Sequence, residues 1–243
     1  MTANDEAAFT FSWLALKLLG RGLYSNPWSA LSELVANGLD AQAQRVFVYV
    51  DARDRAHATV EVIDDGSGMS RDDINTYVKV GHNKRKEARS AGITGIKGRK
   101  GIGKLAALFL SQHFYLITKH SGELTSWELD AREGKVVDDE NPKLLAVENL
   151  PESPNDLLWS SLDSGTRLVL NDVDLTGYGP QSIAALGSRL ANQFLLPVAS
   201  PPQILMAVRL TDSVQPAEYM PVAKSVAFRN LAEGGFRLSA QHR

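Results

Sequence analysis

Three polar side chains suited to binding a cation recur at helical spacing near the start of the chain. Glu33, Asn37 and Asp40 are separated by four and then three residues, so on a helix they fall within an arc of about 60°. A solvated helix face usually carries lysine and arginine as well, but residues 27–41 contain neither. Two carboxylates and an amide without a neighbouring lysine or arginine favour the binding of a cation from solution. Hard oxygen ligands of this kind suit Mg²⁺. The alternative is the solvated face of an ordinary amphipathic helix.

A second candidate site is the turn Asp64–Met69, which reads Asp-Asp-Gly-Ser-Gly-Met and follows an alternating, β-branched run. Asp64 at the strand end could accept a hydrogen bond from an exocyclic amine. Gly66 and Gly68 would let a flat ring approach the backbone closely. The alternative is a turn that only ends the strand, because aspartate and glycine are both common in turns.

A third candidate is the glycine-rich segment 98–104, which runs into an apolar helix. The amides and the positive dipole end of a helix N-terminus bind anions, so we predict a phosphate ligand. The segment matches neither a Walker A loop nor a dinucleotide fingerprint, and the alternative is a merely flexible loop. A fourth feature, Gly165-Thr166 before a β-branched run, is an ordinary strand start when taken alone.

Positive charge is concentrated around the third candidate. Residues 79–104 carry nine lysines and arginines against one glutamate, a net charge of +8, whereas the whole chain carries −2. A basic segment on an acidic body indicates a local anionic ligand rather than a general nucleic-acid-binding surface. Nucleic-acid binding through this segment is kept as an alternative.

The elements that position these residues are predicted from hydrophobic periodicity. We expect helices at residues 11–19, 27–41, 72–80, 101–111 and 182–194. We expect strands at residues 45–51, 59–63, 113–119, 124–129, 144–147, 167–170 and 204–210. Residues 81–100 form a long mobile loop in this scheme, and residues 148–164 a polar excursion. The pattern predicts one α/β domain over residues 1–200, followed by an extension, 201–243, that could begin a further domain.

Composition excludes several classes of protein. The chain has 243 residues, 44% hydrophobic and 22% charged, which is ordinary for a soluble globular protein. It has no cysteine, which excludes a disulfide framework, a zinc–cysteine site, an iron–sulfur cluster and cysteine catalysis. No apolar run approaches the ~20 residues of a membrane span, and the polar N-terminus is not a signal peptide. These features predict a cytoplasmic protein without a membrane partner.

Taken together, the four motifs resemble the GHKL ATPases, a superfamily that includes gyrase B, the ninety-kilodalton heat-shock chaperone, histidine kinases and MutL. The resemblance covers about residues 28–170, and residues 32–51 are most similar to the MutL and microrchidia branches. It implies a Bergerat fold, an α/β two-layer sandwich with a mixed, mostly antiparallel sheet covered on one face by helices. A mobile ATP lid would occupy about residues 81–100.

The resemblance also implies a role for each motif residue. Glu33 would be the general base that polarises the attacking water, and Asn37 would hold Mg²⁺. Asp64 would bind the adenine amino group, supported by Thr166 through a water molecule, and Asp40 would be a polar wall of the pocket. Further nucleotide contacts are implied for Gly66, Gly68 and Met69 near the adenine, for Gly98, Gly101, Ile102 and Gly103 near the phosphates, and for Lys84 and Lys104.

The implied activity is Mg²⁺-dependent ATP binding with slow hydrolysis, in which lid closure and ATP-driven homodimerisation act as a switch or clamp. DNA or protein clients would bind through regions outside this chain. Glu33 argues against a histidine kinase, which needs no activated water. The cation that a following domain supplies to the γ-phosphate in several branches has no match after Pro197. The alternative is therefore a low-turnover nucleotide-binding module that regulates a partner or an attached effector.

Overall fold

The first helix whose full bounds are described, α1 (Pro27–Asp40), begins where its sequence predicts. The side chain of Asn26 accepts a hydrogen bond from the backbone N–H of Ser29 at 3.0 Å, and the fixed φ of Pro27 suits the first helical position. The apolar side of α1 is buried, including Leu31, Leu34 and Val35.

An eight-stranded mixed sheet forms the rest of the framework in this computed structural model, which describes residues 23–78, 105–135, 143–194, 202–212 and 218–222. Its order is β5-β4-β3-β6-β2-β1-β7-β8. All neighbours are antiparallel except β1 and β7, which are parallel. The strands are β1 (Arg45–Asp51), β2 (Ala58–Asp64), β3 (His113–His120), β4 (Glu123–Asp130), β5 (Leu145–Ala146), β6 (Gly165–Val173), β7 (Gln203–Arg209) and β8 (Met220–Pro221). The predicted α/β class and mostly antiparallel sheet are confirmed.

Five further helices are described: α2 (Arg71–Tyr77), α3 (Leu105–Leu110), α4 (Asp156–Ser160), α5 (Pro180–Ala184) and α6 (Leu186–Phe194). The single helix predicted at 182–194 is wrong, because the chain forms two helices separated at Ala185. The first of them starts earlier than predicted because Pro180 occupies the first helical position, which proline favours.

The two faces of the sheet are covered differently. Alternate strand residues such as Val46, Val48 and Val50 join the main core with α1 and α3, whereas Phe47 points to a second, smaller core. Part of that second face is covered by α4, which the polar composition of residues 148–164 did not predict. The second core consists of Phe47, Ile63, Ile117, Trp159, Leu162 and Val169.

A buried ion network fixes α4 to the second face. Arg167 on β6 is 3% exposed, and its Nε donates to Glu61 Oε2 at 3.0 Å while its Nη1 donates to Asp156 Oδ1 at 2.8 Å. Because a buried guanidinium needs such partners, the segment before β6 is held firmly. The ion network therefore fixes the path of the backbone that leads into β6 at Gly165 and Thr166.

Several predictions fall beyond what is described. The helix at 11–19, the loop at 81–100 and the first residues of the helix at 101–111 lie outside the described residues. The sheet continues past residue 200 through β7 and β8, while the division of the chain into a domain and an extension stays a prediction. Among the described residues, no helix has both the length and the apolar composition to cross a membrane.

Candidate functional site

A row of polar side chains crosses the helix-covered face of the sheet. Asp64 at the end of β2 pairs with Thr166 on β6, and Thr166 pairs in turn with Thr118 on β3. Side chains directly opposite on neighbouring strands lie on the same face, which here is the face under α1. The strand pairing therefore brings Asp64 and Thr166 together, as their predicted shared role in one site requires.

Asp64 is a buried carboxylate in this row, with 6% of its surface exposed. Its Oδ1 accepts a hydrogen bond from the N–H of Gly66 at 2.9 Å. Burial raises the pKa of Asp64 to about 6, and the N–H groups of Gly66 and Thr166 oppose that rise. No ion pair neutralises Asp64 within the described part of the chain. A buried, unpaired carboxylate is costly, and groups of this kind concentrate at functional sites.

The C-terminal half of α1 packs directly on the turn that follows Asp64. A side chain at Gly38 would bring its Cβ to 3.0 Å from the Cβ of Asp64, so this helix position is closely apposed to the strand end. The N–H of Ser67 donates to the carbonyl of Ala41 at 3.0 Å. These contacts hold Asn37 and Asp40 beside the turn.

Thr118 secures the turn from the other side. Its Oγ1 accepts a hydrogen bond from the N–H of Met69 at 2.8 Å and donates one to the carbonyl of Gly165 at 3.0 Å. Sequence reasoning missed Thr118, because a threonine within a β-branched strand carries no signal of such a role. The sequence pattern included Gly165 but did not predict its structural role: Gly165 has φ +139°, and its missing Cβ makes room for the backbone of Asp64.

The turn requires glycine at position 68 for a structural reason, in addition to the predicted place of Gly68 near the adenine. The φ of Gly68 is +67°, and an added Cβ would collide with the carbonyl group of Lys119 and lie 3.1 Å from the carbonyl oxygen of Gly165. Glycine is therefore needed for the turn to seat against β3 and β6. A similar constraint holds at Gly66, where a Cβ would lie 2.7 Å from the carbonyl oxygen of Ala41.

We expect Gly68→Ala to destabilise the protein by several kcal/mol, because it combines a left-handed backbone with a collision against fixed strands. Gly122→Ala is the matched control: φ is +82° there, but nothing lies within 4 Å of the added Cβ. Its cost should be about 1–2 kcal/mol, the backbone contribution alone. Urea unfolding of both variants measures the difference, and equal losses would contradict the collision.

Glu33 and Asn37 present their side chains on the outward side of α1, Glu33 partly buried and Asn37 exposed. Within the described ranges, neither side chain makes a hydrogen bond or an ion pair. A carboxylate such as that of Glu33 can accept a proton or a hydrogen bond, and the amide oxygen of Asn37 is a suitable hard ligand for Mg²⁺.

The remaining predicted contacts cannot be placed. Lys84, Gly98, Gly101, Ile102, Gly103 and Lys104 lie outside the described residues. The helix that the glycine segment was predicted to open is described from Leu105 onward as α3, which packs against α1. Their roles stay predictions.

A different group of possible metal ligands lies on the other face of the sheet. One ligand atom from each of His113, Glu128 and Asp130 falls within 4.8 Å of the others. His113 Nε2 is 2.8 Å from Glu128 Oε1, however, and Asp130 is paired with Arg132 at 2.8 Å. These groups already satisfy one another, so the cluster has no need of a metal.

Comparison with known proteins places this region of the chain in a family. Residues 24–164, more than half of the chain, match the family described as histidine kinase-, DNA gyrase B- and HSP90-like ATPase. The matched region includes Glu33, Asn37, Asp40 and the turn from Asp64 to Met69.

Three relatives illustrate the range of proteins that share this region. A putative type II restriction enzyme, HgiDII, of Herpetosiphon aurantiacus is 39% identical over 40% of this chain and 15% of its own length. The DNA mismatch repair protein MutL of Bradyrhizobium diazoefficiens is 28% identical over 60% of this chain and 21% of its own length. The human ATPase MORC2 is 31% identical over 40% of this chain and 9% of its own length. The matched part is thus about a fifth or less of each relative. On the family match, the chain belongs to the GHKL superfamily of ATPases, near its MutL and MORC branches.

Proposed function

We propose that this chain binds ATP with Mg²⁺ and hydrolyses it slowly. The observation that carries the proposal is the buried, unpaired carboxylate of Asp64, aligned with Thr166 beneath a helix whose Glu33 and Asn37 have no described partner. A buried acceptor of this kind is suited to recognise a hydrogen-bond donor on a bound ligand. The exocyclic amine of adenine is such a donor.

Each polar residue then has a distinct task. Asp64 accepts a hydrogen bond from the adenine amine, and Thr166 supports that contact. Asn37 holds the metal ion, which when bound neutralises charge on the phosphates. Glu33 accepts a proton from the attacking water, while Asp40 forms part of the polar wall. Positioning and electrostatic stabilisation of this kind carry most of the catalysis in phosphoryl transfer.

The basic segment 79–104 supports a lid that closes over the phosphates. Its charge of +8 is placed in sequence directly after α2 and directly before α3, which packs on α1. We further propose that closure favours a nucleotide-dependent homodimer, so that ATP acts as a clamp or switch and hydrolysis resets it. A DNA or protein client would bind through regions beyond this chain.

Phosphate release from ATP, followed with Mg²⁺ and with excess EDTA, tests the activity. We expect slow, Mg²⁺-dependent release that rises more than linearly with protein concentration if the dimer is the active form. Turnover that is equal with and without EDTA would contradict the assigned role of the metal.

A second candidate function is a nucleotide-binding regulatory module with little turnover. It is favoured by the small share of each relative that this chain spans, 15% of HgiDII and 9% of MORC2, since the cation that reaches the γ-phosphate could lie elsewhere. Tight ATP binding with phosphate release at background would support this function over hydrolysis. Salt-dependent DNA binding that persists at saturating ATP and Mg²⁺ would instead support nucleic-acid binding by the basic segment.

A further inference from the structure

The turn that follows Asp64 is held by its backbone carbonyl groups as well as by its N–H groups. The hydroxyl of Ser164, in the loop that leads into β6, donates a hydrogen bond to the carbonyl of Gly66 at 2.8 Å. Nδ1 of His120, at the end of β3, lies 2.9 Å from the carbonyl oxygen of Ser67. Because a carbonyl oxygen only accepts, this ring nitrogen is the donor. Neither side chain is among those predicted to contact the nucleotide.

Gly66 is the residue of the turn whose backbone most needs such support. A Cβ at this position would lie 2.7 Å from the carbonyl oxygen of Ala41, so the turn requires glycine here. Glycine restricts its own backbone least of all residues, and hydrogen bonds from other segments must therefore fix its conformation. The N–H of Gly66 donates to Oδ1 of Asp64 at 2.9 Å. A bond that fixes the carbonyl of Gly66 thus also fixes the N–H that holds Asp64.

The loop that carries Ser164 is anchored on the opposite face of the sheet. Nζ of Lys119 donates to the carbonyls of Trp159 and Leu162, both at 2.7 Å, and lies 4.7 Å from the centroid of the Trp159 ring. The side chains of Trp159 and Leu162 are buried in the second core. Ser164, two residues after Leu162, therefore approaches Gly66 from a backbone that is held in place.

We propose that Ser164 is a positioning residue for adenine recognition: it fixes the carbonyl of Gly66, orients the N–H that holds Asp64, and so aims the carboxylate at the adenine amine. This inference rests on the proposed ATP binding. Ser164 acts through Gly66 and Asp64 rather than by touching the nucleotide. Recognition of adenine on the helix-covered face then depends on the loop that α4 and Lys119 anchor on the other face.

Ser164→Ala, which removes only the hydroxyl oxygen, tests the proposal by calorimetric titration with ATP and with inosine triphosphate. We expect the affinity for ATP to fall about five- to tenfold, as loss of one hydrogen bond predicts. Inosine triphosphate lacks the exocyclic amine, so its affinity should stay within about twofold of the wild-type value. An unchanged affinity for ATP, or an equal loss for both nucleotides, would overturn the proposal.

Ser161→Ala is the matched control for this substitution. The Oγ of Ser161 also donates to a carbonyl, that of Leu158 at 2.7 Å, but this bond lies at the end of α4 and not at the turn. Removing the hydroxyl of Ser161 should change neither affinity. A loss of ATP affinity in Ser161→Ala as large as that in Ser164→Ala would show that any weakening of this segment has the same effect, and would also overturn the proposal.

The pKa of Asp64 gives a second readout, which needs no nucleotide. The hydrogen bond from the N–H of Gly66 lowers the pKa of Asp64 against the effect of burial. Ser164→Ala should loosen that bond and raise the pKa of Asp64 above its value of about 6, whereas Ser161→Ala should not. Titration of the carboxyl carbon by NMR measures the shift, and a pKa that stays in place would overturn the proposal. Failure of the proposed function is a separate result, in which the folded wild type binds no ATP.

Discussion

Asp64→Asn is expected to weaken ATP binding by about 30-fold or more. An asparagine can keep one acceptor oxygen for the N–H of Gly66, which Oδ1 of Asp64 binds at 2.9 Å. Its other terminal atom is then an amino group, a donor that opposes the adenine amine instead of accepting from it. Leaving two donors facing each other in a buried site costs about 2 kcal/mol or more, and calorimetric titration measures the change.

Asp65→Asn is the matched control for this substitution. The Oδ1 of Asp65 accepts hydrogen bonds from the N–H groups of Gln44 and Arg45, both at 2.8 Å, and an amide oxygen can keep them. The substitution loses only the surface ion pair to Arg45, which is worth little. Near-wild-type affinity is therefore expected. Inosine triphosphate, which lacks the exocyclic amine, should bind wild type weakly, and equal affinity for the two nucleotides would contradict the role of Asp64.

The substitution Asp64→Asn should also change how the stability of the folded chain depends on pH. The pKa of Asp64 is about 6 in the folded chain against an ordinary value of 3.8, so the folded state holds this proton more tightly than the unfolded state does. Wild type therefore loses stability, relative to Asp64→Asn, as the pH rises from about 4 to about 6. The total change is roughly 3 kcal/mol. Urea unfolding at pH 5 and pH 8 spans about half of this change, and a constant difference between wild type and Asp64→Asn would contradict the raised pKa.

Glu33→Gln is expected to separate binding from hydrolysis. The side chain keeps its size but can no longer accept a proton from water, so phosphate release should fall about 100-fold or more. ATP affinity should change little, because this residue acts on the water rather than on the nucleotide. Parallel calorimetry and phosphate-release assays measure both effects.

Glu148→Gln provides the control, since Glu148 is exposed in the segment after β5 and its loss should affect neither quantity. Unchanged turnover in Glu33→Gln with normal nucleotide binding would show that another group is the base. A loss of ATP binding in Glu33→Gln would instead assign it to the binding site.

Local patterns predicted the elements that carry the site. Hydrophobic periodicity predicted β1, β2 and the start of α1, because this signal is contained in a few neighbouring residues. On α1, Glu33 is partly buried and Asn37 is exposed, whereas Leu31 and Leu34 are buried.

Interactions between distant segments could not be predicted in the same way. The role of Thr118 depends on its register opposite Thr166 and on the hydrogen bond from Met69, which no local pattern encodes. The cover that α4 gives the second face depends on Arg167 meeting Glu61 and Asp156. A polar composition hides such a helix because its stability comes from tertiary contacts.

One measurement addresses the central claim most directly: calorimetric titration of ATP with Mg²⁺ into the wild-type chain, into Asp64→Asn and into Asn37→Ala, with phosphate release followed on the same samples. We predict saturable binding and slow turnover in wild type, binding weakened about 30-fold or more in Asp64→Asn, and binding weakened in Asn37→Ala. Absence of binding by the folded wild-type chain, or full affinity in Asp64→Asn, would contradict the claim.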